Sequence, residues 1–266
     1  MTAPRAADTP NPQSARQRQP APQRQPASRR LITAARRLSR DVASIDFDPP
    51  VTHVYNPLRY AWDAHHQYLR HAPANGTDVL FLGMNPGPWG MAQTGVPFGE
   101  IAAVRDWIGI TAEIGKPEHE HPKRPIEGLR CRRSEVSGRR LWGLFRDRYH
   151  SPDAFFARNF VANYCPLVFM ETSGKNRTPD KLPRDERETL DAACDRHLLA
   201  VLKALKPTFA VGVGAYAEAC LRRVTTASNA SIPICRVLHP SPASPAANRD
   251  WAGQATRQLV DAGVWE

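Results

Sequence analysis

The sequence predicts an α/β protein, a three-layer sandwich in which helices flank a central, mostly parallel sheet of four strands. Two observations support this fold class. Short apolar runs bounded by glycine or proline alternate along the chain with longer segments of helical periodicity. Strands that alternate with helices also favour parallel pairing, because each connecting helix packs back onto a face of the sheet.

The predicted helices follow from apolar spacing and from the prolines that end them. In the first helix, apolar residues recur every three or four positions from Leu31 to Ile45 and stop before Pro49. The longest predicted helix stops before Pro207, because proline cannot continue a helix. This longest helix spans 184–205, and the remaining predicted helices span 58–70, 137–149, 215–224 and 248–262.

The predicted strands are four short apolar runs. The first, 78–83, is closed by Gly83, and the second, 160–170, is interrupted at Pro166, which has no N–H to pair with a neighbouring strand. The third and fourth span 208–213 and 232–238. Three polar residues fall at or near strand exits, the edge at which parallel sheets bind ligands, and they give the first indication of a site: Asn85, Asn163 and His239.

The composition excludes several classes of protein. The chain has 266 residues, of which 41% are hydrophobic and 23% charged, as in globular proteins. No apolar run approaches the roughly 18–20 residues of a membrane span, and no secretory signal is evident. The five cysteines form no CxxC pair, which argues against a zinc or iron–sulfur site. We expect no cofactor or metal and an intracellular location, cytoplasmic or nucleoid-associated in a bacterium (favoured) and nuclear in a eukaryote.

The positive charge is concentrated at the N-terminus. The formal net charge is +10, and residues 1–40 contribute nine arginines against one acid, Asp8. Residues 1–30, rich in proline, glutamine and arginine, are predicted to be a disordered basic tail. The tail is either an arm that contacts nucleic acid phosphates or a solvated segment without a specific partner. Residues 31–266 are predicted to form a single α/β domain.

Three cofactor or metal motifs are incomplete or absent in the sequence. The segment from Gly212 to Ala217 matches GxGxxA, yet no acid follows about 20 residues later, as dinucleotide binding requires. No glycine-rich loop ends in GK[ST], so a Walker-type phosphate loop is absent. His119 and His121 alternate within an acidic segment, which favours an exposed polar loop over a metal clip.

Two loops are richer in glycine, proline and serine than connections require. One spans 83–100, where glycine permits close approach to a ligand and proline limits flexibility. The other, 239–248, begins with a histidine at a strand exit. Together, GMNPGPWGMAQTGVPFGE and HPSPASPAAN resemble the paired motifs of the single-strand-selective monofunctional uracil-DNA glycosylase family. Further similar segments are VRDWIGI (104–110), EHPKRP (120–125), SEVSG (134–138) and SGKNRTPDKLP (173–183), and the resemblance spans roughly 50–255.

The resemblance implies the uracil-DNA glycosylase fold and activity. The expected reaction is hydrolysis of the N-glycosidic bond of uracil and C5-oxidised uracils in single- and double-stranded DNA, without lyase activity or metal. It implies that Phe98 stacks on the flipped base, Asn163 reads its pairing edge and Asn85 positions the water. His239 would stabilise charge on uracil O2, and Gly87 would leave room at C5. The implied catalytic residues are Asn85 and His239, and the implied substrate-binding residues are Met84, Gly87, Phe98 and Asn163.

Two segments are expected to contact DNA. Residues 243–249 would form the wedge that fills the gap left by the flipped base, with the small Ala243 at a position where relatives can have a long basic side chain. Ser241 is expected to contact a phosphate, and Lys175 lies in a predicted phosphate-binding loop. The expected DNA-binding residues are Gly174, Lys175, Asn176, Arg177, Pro240, Ser241, Pro242, Ala243, Asn248 and Arg249.

Other functions remain open at this level. One alternative is a glycosylase of the same fold that acts on deaminated purines or mismatches. Another is a basic DNA-binding protein without catalysis, although all four candidate site residues are present: Asn85, Phe98, Asn163 and His239. DNA is the expected partner in each case, and the protein is expected to be a monomer.

Overall fold

The computed structural model describes residues 26–74 and 76–266. The predicted basic tail therefore lies mostly outside the described residues. The helices are α1 Ala27–Ala43, α2 Pro57–Tyr60, α3 Trp62–Arg70, α4 Met91–Thr94, α5 Val136–Tyr149, α6 Pro152–Phe156, α7 Arg184–Leu205, α8 Ala215–Ala227 and α9 Pro245–Asp261. The strands are β1 His53–Tyr55, β2 Thr77–Gly83, β3 Asn159–Asn163, β4 Val168–Met170, β5 Asn176–Arg177, β6 Pro207–Val213 and β7 Ile234–Val237. Within these ranges no helix is long and apolar enough to span a membrane.

The predicted central sheet is confirmed. Its four strands have the order β3-β2-β6-β7, and every neighbouring pair is parallel. Helix α8 packs on β6 and β7, α9 packs on β7, and α1 packs along α7. The central strand β2 is almost wholly buried from Val79 to Gly83, which explains its continuous apolar run. The carboxyl ends of β2, β3 and β7 are therefore brought to one edge.

The prediction of one interrupted strand over 160–170 is wrong. The segment forms β3, which ends at Asn163, and β4, which pairs antiparallel with β1 and β5 in a second, three-stranded sheet. Between the two strands, the amides of Tyr164 and Cys165 still donate to the carbonyl oxygens of Gly83, the last residue of β2, and of Met84, at 2.9 and 2.8 Å. Pro166 has no amide proton to continue that pairing, so the chain leaves the central sheet there.

The start of α1 also differs from the prediction, because the helix begins at Ala27 rather than near Leu31. The side chain of Arg30 donates to the carbonyl oxygens of Lys203 and Ala204 at 3.2 and 2.7 Å. These acceptors are the last carbonyls of α7, which have no partner within their own helix. A tertiary contact thus stabilises a turn that the apolar periodicity does not include.

The lowered pKa of the buried His65 predicts that the protein loses stability in acid. Its side chain is buried, its Nδ1 lies 2.7 Å from the carbonyl oxygen of Gly95, and burial lowers its pKa from 6.5 to about 4. Between pH 6.5 and about 4, the imidazole of His65 therefore binds a proton in the unfolded chain but stays neutral in the folded chain. We expect the free energy of unfolding to fall by up to about 3 kcal/mol between pH 6.5 and 4 from this residue alone.

Denaturant unfolding at a series of pH values measures this effect. The matched variant is His65→Asn, whose amide can donate to Gly95 but does not titrate. It should lose the share of the acid-dependent slope that comes from His65, whereas His197, whose pKa burial also lowers to about 4, should keep its own share. An identical slope in both proteins would show that His65 is not responsible.

Candidate active site

The six residues predicted to act on the base line one cavity of about 190 Å³ at the carboxyl edge of the central sheet. They come from four separate segments: the loop after β2, the turn before residue 100, the end of β3 and the loop after β7. These residues are Met84, Asn85, Gly87, Phe98, Asn163 and His239. The structure thus brings together residues that are up to 155 positions apart in the sequence.

The glycine- and proline-rich loop that forms one wall is held in place by Gln93. This side chain is completely buried, and its amide nitrogen donates to the carbonyl oxygens of Pro88 and Pro125 at 3.2 and 2.9 Å. Its amide oxygen accepts from the backbone N–H groups of Glu127 and Gly128. A buried amide with four partners fixes the wall before any ligand enters.

Phe98 is held in an unfavourable backbone conformation. Its φ of 53° lies in the left-handed region, which is uncommon for a large side chain. Its ring lies against Gly83, where any side chain would overlap the ring, and its centroid is 6.2 Å from that of His239. Backbone strain of this kind is typical of functional sites, and here the strained residue contributes an aromatic ring to the lining of the cavity.

Asn163, the last residue of β3, has an unused acceptor. Its Nδ2 lies 3.3 Å from the sulfur of Met91, whereas its buried Oδ1 has no partner among the described residues. The amide lies next to Gly83, which has no side chain that would block it. An unpaired buried acceptor costs stability, so this oxygen is suited to a ligand that brings an N–H donor.

Asn85 is oriented by a single hydrogen bond. Its Nδ2 donates to the carbonyl oxygen of Leu167 at 3.1 Å. Because this bond uses the donor side of the amide, the acceptor oxygen is available to the cavity that Asn85 lines. A neutral amide in this arrangement can accept a hydrogen bond from a water and orient it, but it cannot remove a proton as a carboxylate can.

His239 follows β7 and is held next to a glycine turn. Gly214 has a φ of 95°, and a Cβ at that position would lie 3.1 Å from the Cβ of His239. The GxGxxA segment thus forms a tight strand–helix turn. Gly214 leaves room for the side chain of His239, and Gly212 allows α8 to approach β6 closely. Burial lowers the pKa of His239 below 6.5, so the imidazole is neutral at neutral pH and has one N–H to donate.

The space beside Gly87 is occupied by Glu135, a residue of the SEVSG segment to which the sequence analysis assigned no role. A side chain at position 87 would overlap the Glu135 carboxylate, whose Oε2 is buried without a partner among the described residues. Burial raises the pKa of Glu135, and a hydrogen bond from the backbone of Trp89 partly opposes this shift. Gly87 therefore leaves room for a carboxylate of the protein as well as for a substrate.

Arg140 of α5 was also missed, and it holds the loop that carries His239. Its guanidinium donates to the carbonyl oxygens of Pro240 and Ser241 at 3.1 and 3.3 Å and to Oδ1 of Asn248 at 2.9 Å. Asn248 in turn donates to the carbonyl oxygen of Pro242 at 2.9 Å. The side chain of Asn248, predicted to contact DNA, is therefore engaged in bracing this loop.

Some of the residues predicted to contact DNA are exposed, whereas the side chains of others already contact groups within the protein. Lys175, Ala243 and Arg249 are exposed, and Ala243 lies at the tip of the 239–248 loop. In contrast, Arg177 is bound within the protein: it pairs with Glu171 at 2.8 Å and donates to the carbonyl oxygen of Lys181. Arg177 therefore already has partners within the protein, and its expected contact with DNA stays a prediction. Asn176 lines the cavity, and Ser241 accepts a hydrogen bond from the Ala243 amide at 3.1 Å.

The two candidate metal-binding histidines do not form a clip. His121 is buried rather than exposed, its Nε2 lies 3.1 Å from the carbonyl oxygen of Glu171, and its Nδ1 accepts from the Lys123 amide. Both ring nitrogens are therefore occupied. No group of three potential metal ligands occurs in the part of the chain that the structure describes.

The fold and the cavity together define a class of base-excising α/β proteins. A model of the uracil DNA glycosylase superfamily matches residues 70–260. Proteins named "Single-strand selective monofunctional uracil-DNA glycosylase" from Rattus norvegicus and Bos taurus are 46% and 45% identical over 228 residues; the match covers 86% of this chain and 82% and 84% of theirs. The chain belongs to this single-strand selective family within the uracil DNA glycosylase superfamily.

A solved structure supports the same fold. The crystal structure of wild-type SMUG2 from Pedobacter heparinus superposes with a TM-score of 0.62, covering 91% of this chain and 96% of that one. The two sequences are 16% identical, so this likeness concerns the fold alone.

Proposed function

We propose that the chain is a monofunctional DNA glycosylase that hydrolyses the N-glycosidic bond of uracil in DNA. The observation that carries the proposal is the convergence of Asn85, Phe98, Asn163 and His239 on one cavity. An aromatic face, an amide with a free acceptor, a water-orienting amide and a neutral imidazole are the groups that this reaction needs. The names of the relatives are consistent with the proposal.

The proposed reaction assigns one task to each side chain. The flipped uracil stacks on Phe98, and the unpaired oxygen of Asn163 accepts its N3–H. Cytosine has no N3–H and would leave this acceptor unpaired, which disfavours its binding. As the bond breaks, negative charge develops on uracil O2 and is stabilised by the imidazole N–H of His239. Water held by Asn85 attacks C1′ as the C1′–N1 bond breaks, and the electron pair of that bond leaves with the uracil anion. The proton released by the water passes to this anion or to solvent, which completes the hydrolysis without a covalent intermediate.

A gel-based excision assay tests this proposal. Labelled oligonucleotides that contain uracil, single-stranded or paired, are incubated with the protein without added metal and then treated with hot alkali. We expect cleavage only after alkali, because the product is an abasic site. Cleavage without alkali would indicate lyase activity, and no cleavage of either substrate would refute the proposed reaction. Ala243 is exposed and small, so it would fill the gap left by the flipped base poorly. We therefore expect slower excision from duplex DNA than from single strands.

We further propose that C5-oxidised uracils are substrates and that Glu135 distinguishes them from thymine. The Glu135 carboxylate lies at the position that a side chain on residue 87 would take, the side of the cavity expected to face C5. A 5-hydroxymethyl group can donate a hydrogen bond to this carboxylate. The methyl group of thymine cannot, and it would leave the carboxylate desolvated and unpaired.

The ratio of excision rates for 5-hydroxymethyluracil and uracil measures this role. We expect Glu135→Ala to lower the ratio and to raise thymine excision, whereas Glu135→Gln retains an acceptor and should preserve part of the preference. The same ratios in wild type and both variants would contradict the assignment. We expect excision of 5-formyluracil, whose formyl group can only accept, to increase as the pH falls, because burial raises the pKa of Glu135 and favours its protonated, donating form.

The contacts of Arg140 predict that this residue positions the loop that carries His239. Arg140→Ala removes three hydrogen bonds to the loop that carries His239. Because misplacement of a catalytic group by about 1 Å can cost roughly 100-fold, we expect a lower single-turnover rate. Arg140→Lys should restore part of it, and Arg139→Ala, at the exposed neighbouring arginine, is the control. An effect confined to thermal stability would indicate a purely structural role.

A further inference from the structure

A cluster of two arginines and a tryptophan lies beside the cavity. Its residues are not among those assigned above to catalysis or DNA binding. The half-buried indole of Trp89 lies close to two guanidinium groups. The Cζ atoms of Arg133 and Arg124 are 4.4 and 5.2 Å from the ring centroid, within the range of cation–π contacts. We call the set Trp89, Arg124 and Arg133 the tryptophan clamp.

The charges of the clamp are not neutralised by the described part of the chain. The exposed side chain of Arg133 has no hydrogen bond or ion pair there. Arg124 donates to the carbonyl oxygen of its neighbour Lys123 at 2.9 Å, and its Nε is buried without a partner. By comparison, the guanidinium of Arg177 is paired with a carboxylate. Guanidinium groups held on a ring with free donors are suited to phosphate oxygens.

The clamp connects the cavity with the predicted phosphate-binding loop. Trp89 directly follows Gly87 and Pro88, which line the cavity. On the other side, Gly174 lies against Lys123 and Arg124, with which a Cβ at 174 would be in contact at 3.3–3.5 Å. The exposed Lys123 and Lys175 extend the positive charge beyond the clamp. A basic strip therefore runs from the cavity wall through the clamp to the 173–177 loop.

We propose that the tryptophan clamp binds backbone phosphates of the DNA strand next to the flipped nucleotide, an inference that rests on the proposed glycosylase function. A strip that continues past the clamp fits a polyanion better than a single free phosphate. The indole restricts both guanidinium groups, so less conformational entropy is lost when they bind. The clamp thus supplies affinity for single strands without contacting the scissile bond.

The first experiment compares Arg133→Ala with Arg70→Ala. Arg70 is an exposed arginine that ends α3 and leads into the amino end of β2, at the sheet edge opposite the cavity. We measure the Kd for an undamaged single strand by fluorescence anisotropy and the single-turnover excision rate at saturating protein. For one lost phosphate contact, the salt slope should fall by about 0.7 and Kd should rise about fivefold at roughly 0.1 M salt. The excision rate at saturation should not change.

The second experiment locates the contact. Methylphosphonate linkages, which carry no charge, are placed one at a time along the oligonucleotide. The linkage bound by the clamp weakens binding of the wild type but not of Arg133→Ala. Trp89→Leu should behave like Arg133→Ala, and Trp89→Phe, which keeps an aromatic face, should bind more tightly than Trp89→Leu.

These measurements separate failure of the clamp from failure of the proposed function. If wild type binds single strands but excises nothing, the glycosylase function fails while the clamp is still tested by binding. If Arg133→Ala and Trp89→Leu match Arg70→Ala in Kd and salt slope, the clamp does not bind DNA. Equal sensitivity of wild type and Arg133→Ala to every neutral linkage would also overturn the inference.

Discussion

Replacement of His239 by leucine is expected to lower the single-turnover rate of uracil excision by about 100- to 1000-fold, the usual cost of one preorganised donor to a developing oxyanion. His239 is fixed between Phe98 and the Gly214 turn, so its N–H needs little reorganisation during the reaction. Leucine fills similar space but has no donor. The measurement is the gel assay at saturating protein, with the Kd for single-stranded DNA expected to stay within about twofold.

The control is His66→Leu, because His66 stacks on Trp62 in α3 and takes no part in the cavity. The pH profile gives an independent check. Burial lowers the pKa of His239 below 6.5, so the donor is a neutral imidazole, and the rate should not fall as the pH rises above neutrality. A charged imidazolium donor would instead lose activity as the pH rises through its pKa. A rate that falls tenfold per pH unit above neutrality would therefore refute the neutral donor.

The sequence predicted the central sheet and the long helices well, because their signals are local. Helix α7 has the predicted bounds, 184–205, since its apolar spacing and the following Pro207 define it without reference to the rest of the chain. The extra turn of α1 escaped prediction because a contact with the end of α7 stabilises it. The three-stranded sheet escaped because β1 and β5 have only three and two residues, too few to show an alternating pattern.

The candidate site likewise combines residues that local sequence signals indicate with residues whose roles depend on tertiary contacts. Asn85, Asn163 and His239 were found because strand exits and the family resemblance both mark them. Glu135 and Arg140 lie at the start of α5, and their roles depend on how closely that helix approaches the two loops. No local pattern encodes this distance. The ion pair of Arg177 escaped prediction for a related reason: its partner Glu171 is brought to it by the antiparallel pairing of β4 and β5, a hairpin absent from the predicted elements.

Asn85→Ala is expected to lower the excision rate by about 100-fold, the cost of misplacing a reactant by roughly 1 Å. The amide of Asn85 is held by its hydrogen bond to Leu167, so its oxygen can fix the attacking water. Alanine keeps the fold of the loop but leaves the water free to adopt other orientations. The measurement is the single-turnover rate with uracil in a single strand, and the Kd should remain close to that of wild type.

The variant Asn85→Asp separates orientation from basicity. A carboxylate is a stronger acceptor and can act as a general base, a contribution that is worth about 100- to 10,000-fold where the geometry is right. It cannot, however, donate to the carbonyl oxygen of Leu167, and the two oxygens would repel each other at the present 3.1 Å. Because orientation is lost as basicity is gained, we expect Asn85→Asp not to exceed the wild-type rate. A faster Asn85→Asp variant would mean that proton removal, rather than placement of the water, limits this enzyme.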